Sequence, residues 1–396
     1  MKIGVDIRVL MDEHYSGVSE YTANLLAAIL RQNAVSGQSD EYRLFYNSFH
    51  DLSARLDKWN GSKSKVIGTR WPNKIFNYLL QKICGWPKLD KVLGGVDVFW
   101  SPHFNFTRLS VGSKAPKKII TVHDLSFLRY PEFFSARKNF WHRSLGVKKI
   151  LRAADKIVAI SENTKNDIRE LAAVAPEKIS VIYPGNNIVK EEINETEARD
   201  FKERHNLSDG FILSIGNIEP RKNIGGLIAA FNELRSKDAA KSTGHFKNLQ
   251  LVLTGAAGWK NNKINAAWHK SPYKNDIKFL GYVSQKDKEI LYNQAAVFVY
   301  PSFYEGFGFP PLEAMTYGVP VVCSNVSSLP EVVGDAALMI NPFKPVEITN
   351  ALEIVLTDKN IRGRLVAKSY ERAKLFSWDK TAAEYLKLFH EVHEEK

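Results

Sequence analysis

The 396-residue chain holds only two cysteines, Cys84 and Cys323. Two thiols cannot build the disulfide framework of a small secreted domain, so a reduced cytosolic setting is expected. No run of about 18 apolar residues occurs, which leaves no candidate for a membrane-spanning helix. The opening MKIGVDIRVL puts Asp6 and Arg8 where a signal peptide needs an unbroken apolar stretch. No GxGxxG follows the first apolar run, which argues against a nicotinamide dehydrogenase. The absence of GxxxxGKS or GxxxxGKT excludes a P-loop nucleotidase. No Asp-x-Asp pair and no His/Cys cluster at zinc spacing occurs, so no metal or other cofactor is expected.

What is present points to two domains. The chain is 44% apolar and 25% charged, as in an ordinary folded protein, and single cores stop growing beyond roughly 250–300 residues. Short apolar, β-branched runs alternate with longer helical patterns. KIGVDI, YRLFYN, VDVFWS, KKIITVHD, KIVAIS and KISVIYP come first; FILSIG, LQLVLTG, IKFLG, VFVYPS, VPVVCS and ALMIN follow. Continuous apolar strands suit parallel sheets covered on both faces. Helices are predicted over 18–31, 161–172, 223–234, 284–294 and 345–357. The fold class is therefore α/β, with doubly wound, Rossmann-like parallel sheets. The polar stretch around 186–200, with EEINETEARD, interrupts the rhythm and divides the chain into domains 1–187 and 188–376. Segments 241–248 and 259–274 read as surface loops or short helices. Residues 377–396 are expected to form an amphipathic helix that returns to the first domain, burying Ala382, Tyr385, Leu386, Leu388 and Phe389.

Charge is unevenly spread. The net charge of +12 belongs to residues 1–190, with 29 basic and 17 acidic side chains, whereas residues 191–396 carry 26 of each. Residues 51–150 alone hold 19 basic against 6 acidic groups. Within them WPNKIFNYLLQKICGWPKLDK and RKNFWHRSLGVKKILR interleave aromatics with cations. Three readings stand: an interfacial helix on an anionic membrane, a core helix with a solvated basic face, and a single-strand nucleic-acid groove.

The most informative motif is PSFYEGFGFPPLEAMTYGVPVV, residues 301–322. It follows an apolar strand, passes a Gly-containing turn, and is predicted to open a helix at Pro310–Pro311. The loop Gly306-Phe307-Gly308-Phe309 then brings backbone N–H groups to a helix N-terminus, where the dipole favours anions. Glu305 lies on the loop and Glu313 is placed in the first turn of that helix. Carboxylates so spaced suit the hydroxyls of a sugar or ribose, or else serve as a solvated charge and a dipole partner. A second motif, GNIEPRKN at 216–223, puts Arg221 and Lys222 at a carboxyl strand end, with Asn223 as an expected N-cap. A fork and a point charge together suit a diphosphate; a solvated basic turn is the alternative. In the first half, Ser16–Gly17 precede a helix, where Gly17 either approaches a phosphate or simply turns the chain. His123–Asp124 end the run KKIITV. His123 there contacts substrate or packs as a satisfied histidine, and Asp124 orients it or caps the next turn.

Taken in this order, Ser16–Gly17, His123–Asp124, ADKIVAIS with VIYPG, GNIEPRKN and the Glu305-x7-Glu313 stretch resemble the retaining nucleotide-sugar glycosyltransferases of family four. The resemblance spans essentially the whole chain. It implies the GT-B fold, two Rossmann-like domains facing a cleft. RWPNKIFN and VDVFWSPH make the chain most similar to bacterial mannosyltransferases that use GDP-mannose; UDP-sugar donors are the alternative within the family. The resemblance implies that Arg221 and Lys222 hold the diphosphate, Glu313 the ribose, and Glu305 the transferred sugar, aided by the N–H groups of 306–309. Val283 would lie beside the base, His123 with Asp124 would border the sugar, and Gly17 would approach the phosphates. Many relatives have two glycines in that first loop, where Ser16 stands here. Retention without a metal ion, a glycan or lipid-linked acceptor, and a cytoplasmic, peripheral membrane location complete the expectation, with no nucleic acid as partner. A non-catalytic nucleotide-sugar-binding protein or a single-strand binder are the alternatives of another class.

Overall fold

A computed structural model describes residues 1–11, 17–35, 39–82, 86–186, 188 and 193–395. Ser16 and Cys84 lie outside them. The chain divides into one unit of Met1–Leu125, Phe140–Gly185 and Ser377–Lys396 and a second of Ser126–Asn139 and Asn186–Phe376. Where the sequence suggests a break at 187/188, the division falls at Gly185/Asn186. It also assigns Ser126–Asn139 to the second unit. The reason is local chemistry: Trp259 Nε1 donates to the Phe133 carbonyl at 2.6 Å, and the rings of Phe133 and Phe303 stack at 5.7 Å.

The first unit holds β1 (Lys2–Asp6), β2 (Glu41–Asn47), β3 (Ser64–Thr69), β4 (Val98–Ser101), β5 (Lys117–Val122), β6 (Lys156–Ala159) and β7 (Ile179–Val181). They form one seven-stranded sheet in the order β3-β2-β1-β4-β5-β6-β7, with every neighbouring pair parallel. Central strands are buried along nearly their whole length, which explains their unbroken apolar runs. The strand missed in the sequence, β3, sits at the edge; its SKVIGT is half exposed and carries no apolar run. Lys65 on it suits an edge that must not recruit another strand.

The second unit holds β8 (Phe211–Ile215), β9 (Leu251–Thr254), β10 (Ile277–Gly281), β11 (Ala295–Tyr300), β12 (Val321–Ser324) and β13 (Ala337–Ile340). This six-stranded parallel sheet runs β10-β9-β8-β11-β12-β13. Its core gathers Ile212, Leu253, Val297 and Val299 from the strands with Leu227, Phe231 and Leu352 from helices. Cys323, on β12, is buried and burial pushes its thiol up to about 12, so it packs as a small apolar group. In both sheets the order reverses once, between β1 and β4 and between β8 and β11. Such switch points open a crevice at the carboxyl ends of the strands.

Helices cover both sheets close to their expected spans. The helix Gly17–Val35 runs four residues past its predicted end, and Ile224–Lys241 seven. Pro345–Thr357 agrees at both ends, and Ser161 and Ser284 are N-caps, accepting from the amides of Thr164 and Asp287. The acidic stretch read as an interruption is in part the helix Glu195–His205, capped by Asn194, which accepts from the Thr196 amide at 2.9 Å. Within 259–274 a helix occupies Asn262–Lys270. The helix Trp378–Glu394 lies in the first unit and buries all five apolar residues expected of it. Tyr385 anchors it: its hydroxyl shares hydrogen bonds with Tyr21 at 2.9 Å and Thr121 at 2.6 Å, and Thr121 accepts from Trp100 Nε1 at 3.0 Å.

Candidate active site

The chain leaving β8 meets the switch point of the second sheet at once. Gly216 takes φ +151°, a backbone conformation that favours glycine, and the Lys222 side chain runs back over the strand end beside it. Pro220–Lys222 form one 3-10 turn, and the helix Ile224–Lys241 follows. Asn223 stands just before that helix but does not cap it. It adopts φ +55° and its Nδ2 donates to the Pro342 carbonyl at 2.7 Å, tying the turn to the end of β13. The expected N-cap is thus corrected: a left-handed backbone points the amide away from the first helical N–H groups.

The loop after β11 comes alongside. The Phe303 amide donates to the Arg221 carbonyl at 2.9 Å and joins the two loops. Glu305 is buried between them. Its Oε1 accepts from Lys222 Nζ at 2.7 Å and its Oε2 from Arg221 Nη1 at 2.8 Å. Arg221 Nη1 also donates to the Tyr304 carbonyl at 2.9 Å, and its Nε donates to Glu219 Oε1 at 3.1 Å. Lys222 Nζ further donates to the Tyr300 hydroxyl. Burial would raise the Glu305 carboxyl, but the adjoining Arg221 and Lys222 outweigh it and hold the group at about 2. Burial lowers Lys222, against the pull of Glu305. Two cations and two carboxylates therefore fill this corner, with Lys222 and Glu305 almost wholly buried.

Glu305 is held from behind as well. Its amide donates to Ser327 Oγ at 3.0 Å, while Ser328 Oγ donates to the carbonyls of Glu305 and Phe307 at 3.0 and 2.7 Å. Gly308, at φ +124°, ends the loop; a Cβ on it would lie 2.7 Å from Leu329 Cδ2. The following helix is Phe309–Thr316, one residue earlier than predicted, with the prolines inside its first turn. Glu313 is therefore its fifth residue and lies beyond the first turn, a correction that removes the simple dipole role. It accepts instead from Lys288 Nζ at 2.9 Å and from the Tyr292 hydroxyl at 2.8 Å, both on the helix Gln285–Gln294. Val283, half buried, lies in the turn between β10 and that helix.

The remaining candidates lie in the first unit, each near a carboxyl strand end. Gly17 is the first residue of its helix, and a Cβ there would meet nothing within 4 Å among the described residues. His123 follows β5. Its Nε2 lies 2.8 Å from the Pro102 carbonyl, which can only accept, so Nε2 carries the proton. Tyr21 packs edge-on at 4.7 Å, and burial lowers the imidazole's affinity for a second proton. Asp124 follows, partly exposed. A neighbouring histidine went unnoticed in the sequence: His103, 5.9 Å from His123 between ring centres, is pushed down to about 3 by burial and by His123. Both rings are neutral at ordinary pH.

Sequence reasoning brought Arg221, Lys222 and Glu305 to one place but missed Glu219, Tyr300, Lys288 and Tyr292, the groups that hold them or Glu313. Glu219 stands two residues before Arg221 and was within reach; the others are remote in the chain. Against known proteins, residues 195–372 match the family described as glycosyl transferases group 1, and residues 15–189 match glycosyltransferase family 4. The chain is 31% identical over 387 residues to O-antigen chain mannosyltransferase B of Escherichia coli, covering 92% of this chain and 93% of that one. It is 30% identical over 288 residues to the serotype-specific mannosyltransferase WbdA of Escherichia coli, covering 72% of this chain and 35% of that longer protein. Among solved structures, sucrose-phosphate synthase from Thermosynechococcus elongatus superposes with a TM-score of 0.72 at 19% identity, covering 100% of both chains. HepE of Anabaena, in complex with UDP and glucose, gives 0.71 at 18% identity, covering 98% of this chain and 99% of that one.

Proposed function

We propose, given that this chain belongs to the family-four glycosyltransferases of GT-B fold, that it moves mannose from GDP-mannose, with retention, to a hydroxyl of a glycan or lipid-linked acceptor. The observation that carries the proposal is the buried Arg221–Lys222–Glu305 cluster at the β8/β11 switch point. The names of its relatives, O-antigen and serotype-specific mannosyltransferases, favour mannose over glucose.

In this reading the diphosphate exchanges with Glu305 for the N–H groups of Arg221 and Lys222. The charge that builds on the departing diphosphate then meets two cations already fixed in a water-poor site, which supplies the stabilisation without a metal ion. Glu305, so released, accepts from hydroxyls of the mannosyl ring. Glu313 accepts from the ribose, with Lys288 and Tyr292 keeping its carboxylate in position. Transfer proceeds on the face from which the diphosphate leaves, and the diphosphate takes the acceptor proton. A trapped adduct on Glu305 would overturn this choice.

Thermal melts with GDP-mannose, UDP-glucose, UDP-N-acetylglucosamine and ADP-glucose test the donor, because a ligand at about 100 times its Kd adds ~2.7 kcal/mol. GDP-mannose is expected to give the largest shift and to be consumed when acceptor is added. Preference for a UDP-sugar would reject mannose from GDP-mannose and leave the family reading standing. Binding of a donor that is neither transferred nor hydrolysed would favour a non-catalytic protein.

A further inference from the structure

Glu219 stands just past β8, immediately before the turn Pro220–Lys222, and is only 1% exposed. The backbone around it is pinned. The Ile218 amide donates to the Ala256 carbonyl at 3.0 Å, and the Gly258 amide donates back to the Ile218 carbonyl at 3.1 Å. The Glu219 carbonyl accepts from the Lys222 amide at 3.1 Å. Trp259, next after Gly258, is itself held between the Phe133 carbonyl and the Lys138 ammonium, which lies 3.2 Å from its ring centre. The Glu219 side chain is directed at Arg221. Its Oε1 accepts from Nε at 3.1 Å and from Nη2 at 2.9 Å, while Oε2 is buried and meets no donor among the described residues. This carboxylate is more than the fold requires. A buried oxygen without a donor lowers stability, and a negative charge beside a diphosphate site opposes the binding of the anion.

We infer that Glu219 is a positioning residue for the departure of the diphosphate: it acts through Arg221, holding the guanidinium plane fixed while Glu305 and the diphosphate exchange. The inference rests on the proposed function. There the diphosphate displaces Glu305 from Arg221 Nη1, where the Tyr304 carbonyl remains as one acceptor. A guanidinium released by Glu305 is otherwise free to turn on its long stem. Glu219 grips the edge formed by Nε and Nη2, and a planar fork held along one edge keeps its aim. Donors fixed in advance stabilise developing charge without reorganising at the moment of reaction. Glu219 therefore raises the rate of transfer, while its charge weakens the hold on the anion. Rate and affinity move in opposite directions, which a residue serving only the fold does not produce.

Glu219→Gln keeps the shape of the side chain and replaces a charge-assisted pair with a neutral one. In the full chain, kcat with GDP-mannose is expected to fall about tenfold or more. GDP, titrated by calorimetry, is expected to bind as tightly as to wild type or more tightly, with circular dichroism unchanged. Arg221→Lys removes the edge that Glu219 grips. Adding Glu219→Gln to it is expected to change kcat by less than about twofold, because no fork remains to be positioned. Asp276→Asn serves as the structural comparison, since Asp276 accepts from another buried arginine of the same unit, Arg235 Nη1, at 2.8 Å. It is expected to lower the melting temperature and leave kcat and GDP affinity unchanged. Parallel losses of kcat and GDP affinity in Glu219→Gln, an unchanged kcat, or full additivity with Arg221→Lys would overturn the inference. If wild type turns over only a UDP-sugar, the same split read with that donor and UDP supports the inference and rejects GDP-mannose alone. A wild type that turns over no sugar nucleotide rejects the proposed function, and the inference with it.

Discussion

Glu305 is a carboxylate with both oxygens committed, one to Lys222 and one to Arg221. Its group is ionised at all but extreme acidity, and the sign of the resulting pH effect follows. The folded value of about 2 lies below the ordinary 4.5, so the pairing stabilises the fold above about pH 4.5 and is lost as pH falls toward 2. For a buried group this corresponds to about 3 kcal/mol. Glu305→Gln is therefore expected to lower stability at neutral pH by about that amount and to flatten the acid side of a denaturation series. Removing the competing carboxylate should leave GDP binding at least as tight while transfer falls by about a hundredfold or more. Loss of GDP affinity together with stability would assign Glu305 to scaffolding alone. Lys222→Ala and Glu313→Ala are expected to weaken GDP binding by about tenfold or more while the fold persists, as read by calorimetry; unchanged affinity in both would remove them from the site. The cations and Glu305 were legible in the sequence because strand ends and helix starts gather there. Tyr300, Lys288 and Tyr292 were not, since a partner's identity depends on which side chains converge from distant positions.

Two glycines read alike as phosphate-approaching turns separate once the elements around them are known. Gly308 has φ +124° and faces Leu329, whereas Gly17 opens a helix and no described residue lies within 4 Å of where its Cβ would stand. Gly308→Ala is expected to cost about 2 kcal/mol or more, through backbone strain and the displaced Leu329, and to disturb the start of the helix Phe309–Thr316. Gly17→Ala is expected to leave thermal stability within about 0.5 kcal/mol of wild type. Any fall in its transfer rate would then report a substrate approaching that backbone rather than a damaged fold. Equal melting temperatures for the two variants would contradict this reading. The same distinction governs what the pattern of elements revealed. Buried parallel strands announce themselves by unbroken apolar runs. The edge strand β3 does not, because half its side chains face water, and Asn223 looked like a cap because propensity says nothing of its left-handed backbone.

At the scale of the whole molecule, the two units have separate cores, and the chain threads between them more than once. Periodicity found the strands and the tandem α/β plan, but not the transfer of Ser126–Asn139 to the second unit. That depends on Phe133 and Trp259, which are 126 residues apart. Nor does net charge reveal how the last helix is locked: Tyr21, Trp100, Thr121 and Tyr385 converge from four elements on one buried hydroxyl network. Deleting the Tyr385 hydroxyl leaves Tyr21 and Thr121 without that partner in a dry site, a loss of about 1–3 kcal/mol. Tyr385→Phe is thus expected to lower the melting transition of the first unit alone. GDP, bound at Arg221 and Lys222, is expected to raise the transition of the second. Scanning calorimetry of wild type and variant, each with and without GDP, distinguishes the two effects. Two transitions, one moved by the substitution and the other by the nucleotide, would follow if each unit is stabilised by its own core and site. A single transition displaced by both would mean that the units unfold as one, and that the hydroxyl network supports the nucleotide site through the whole fold.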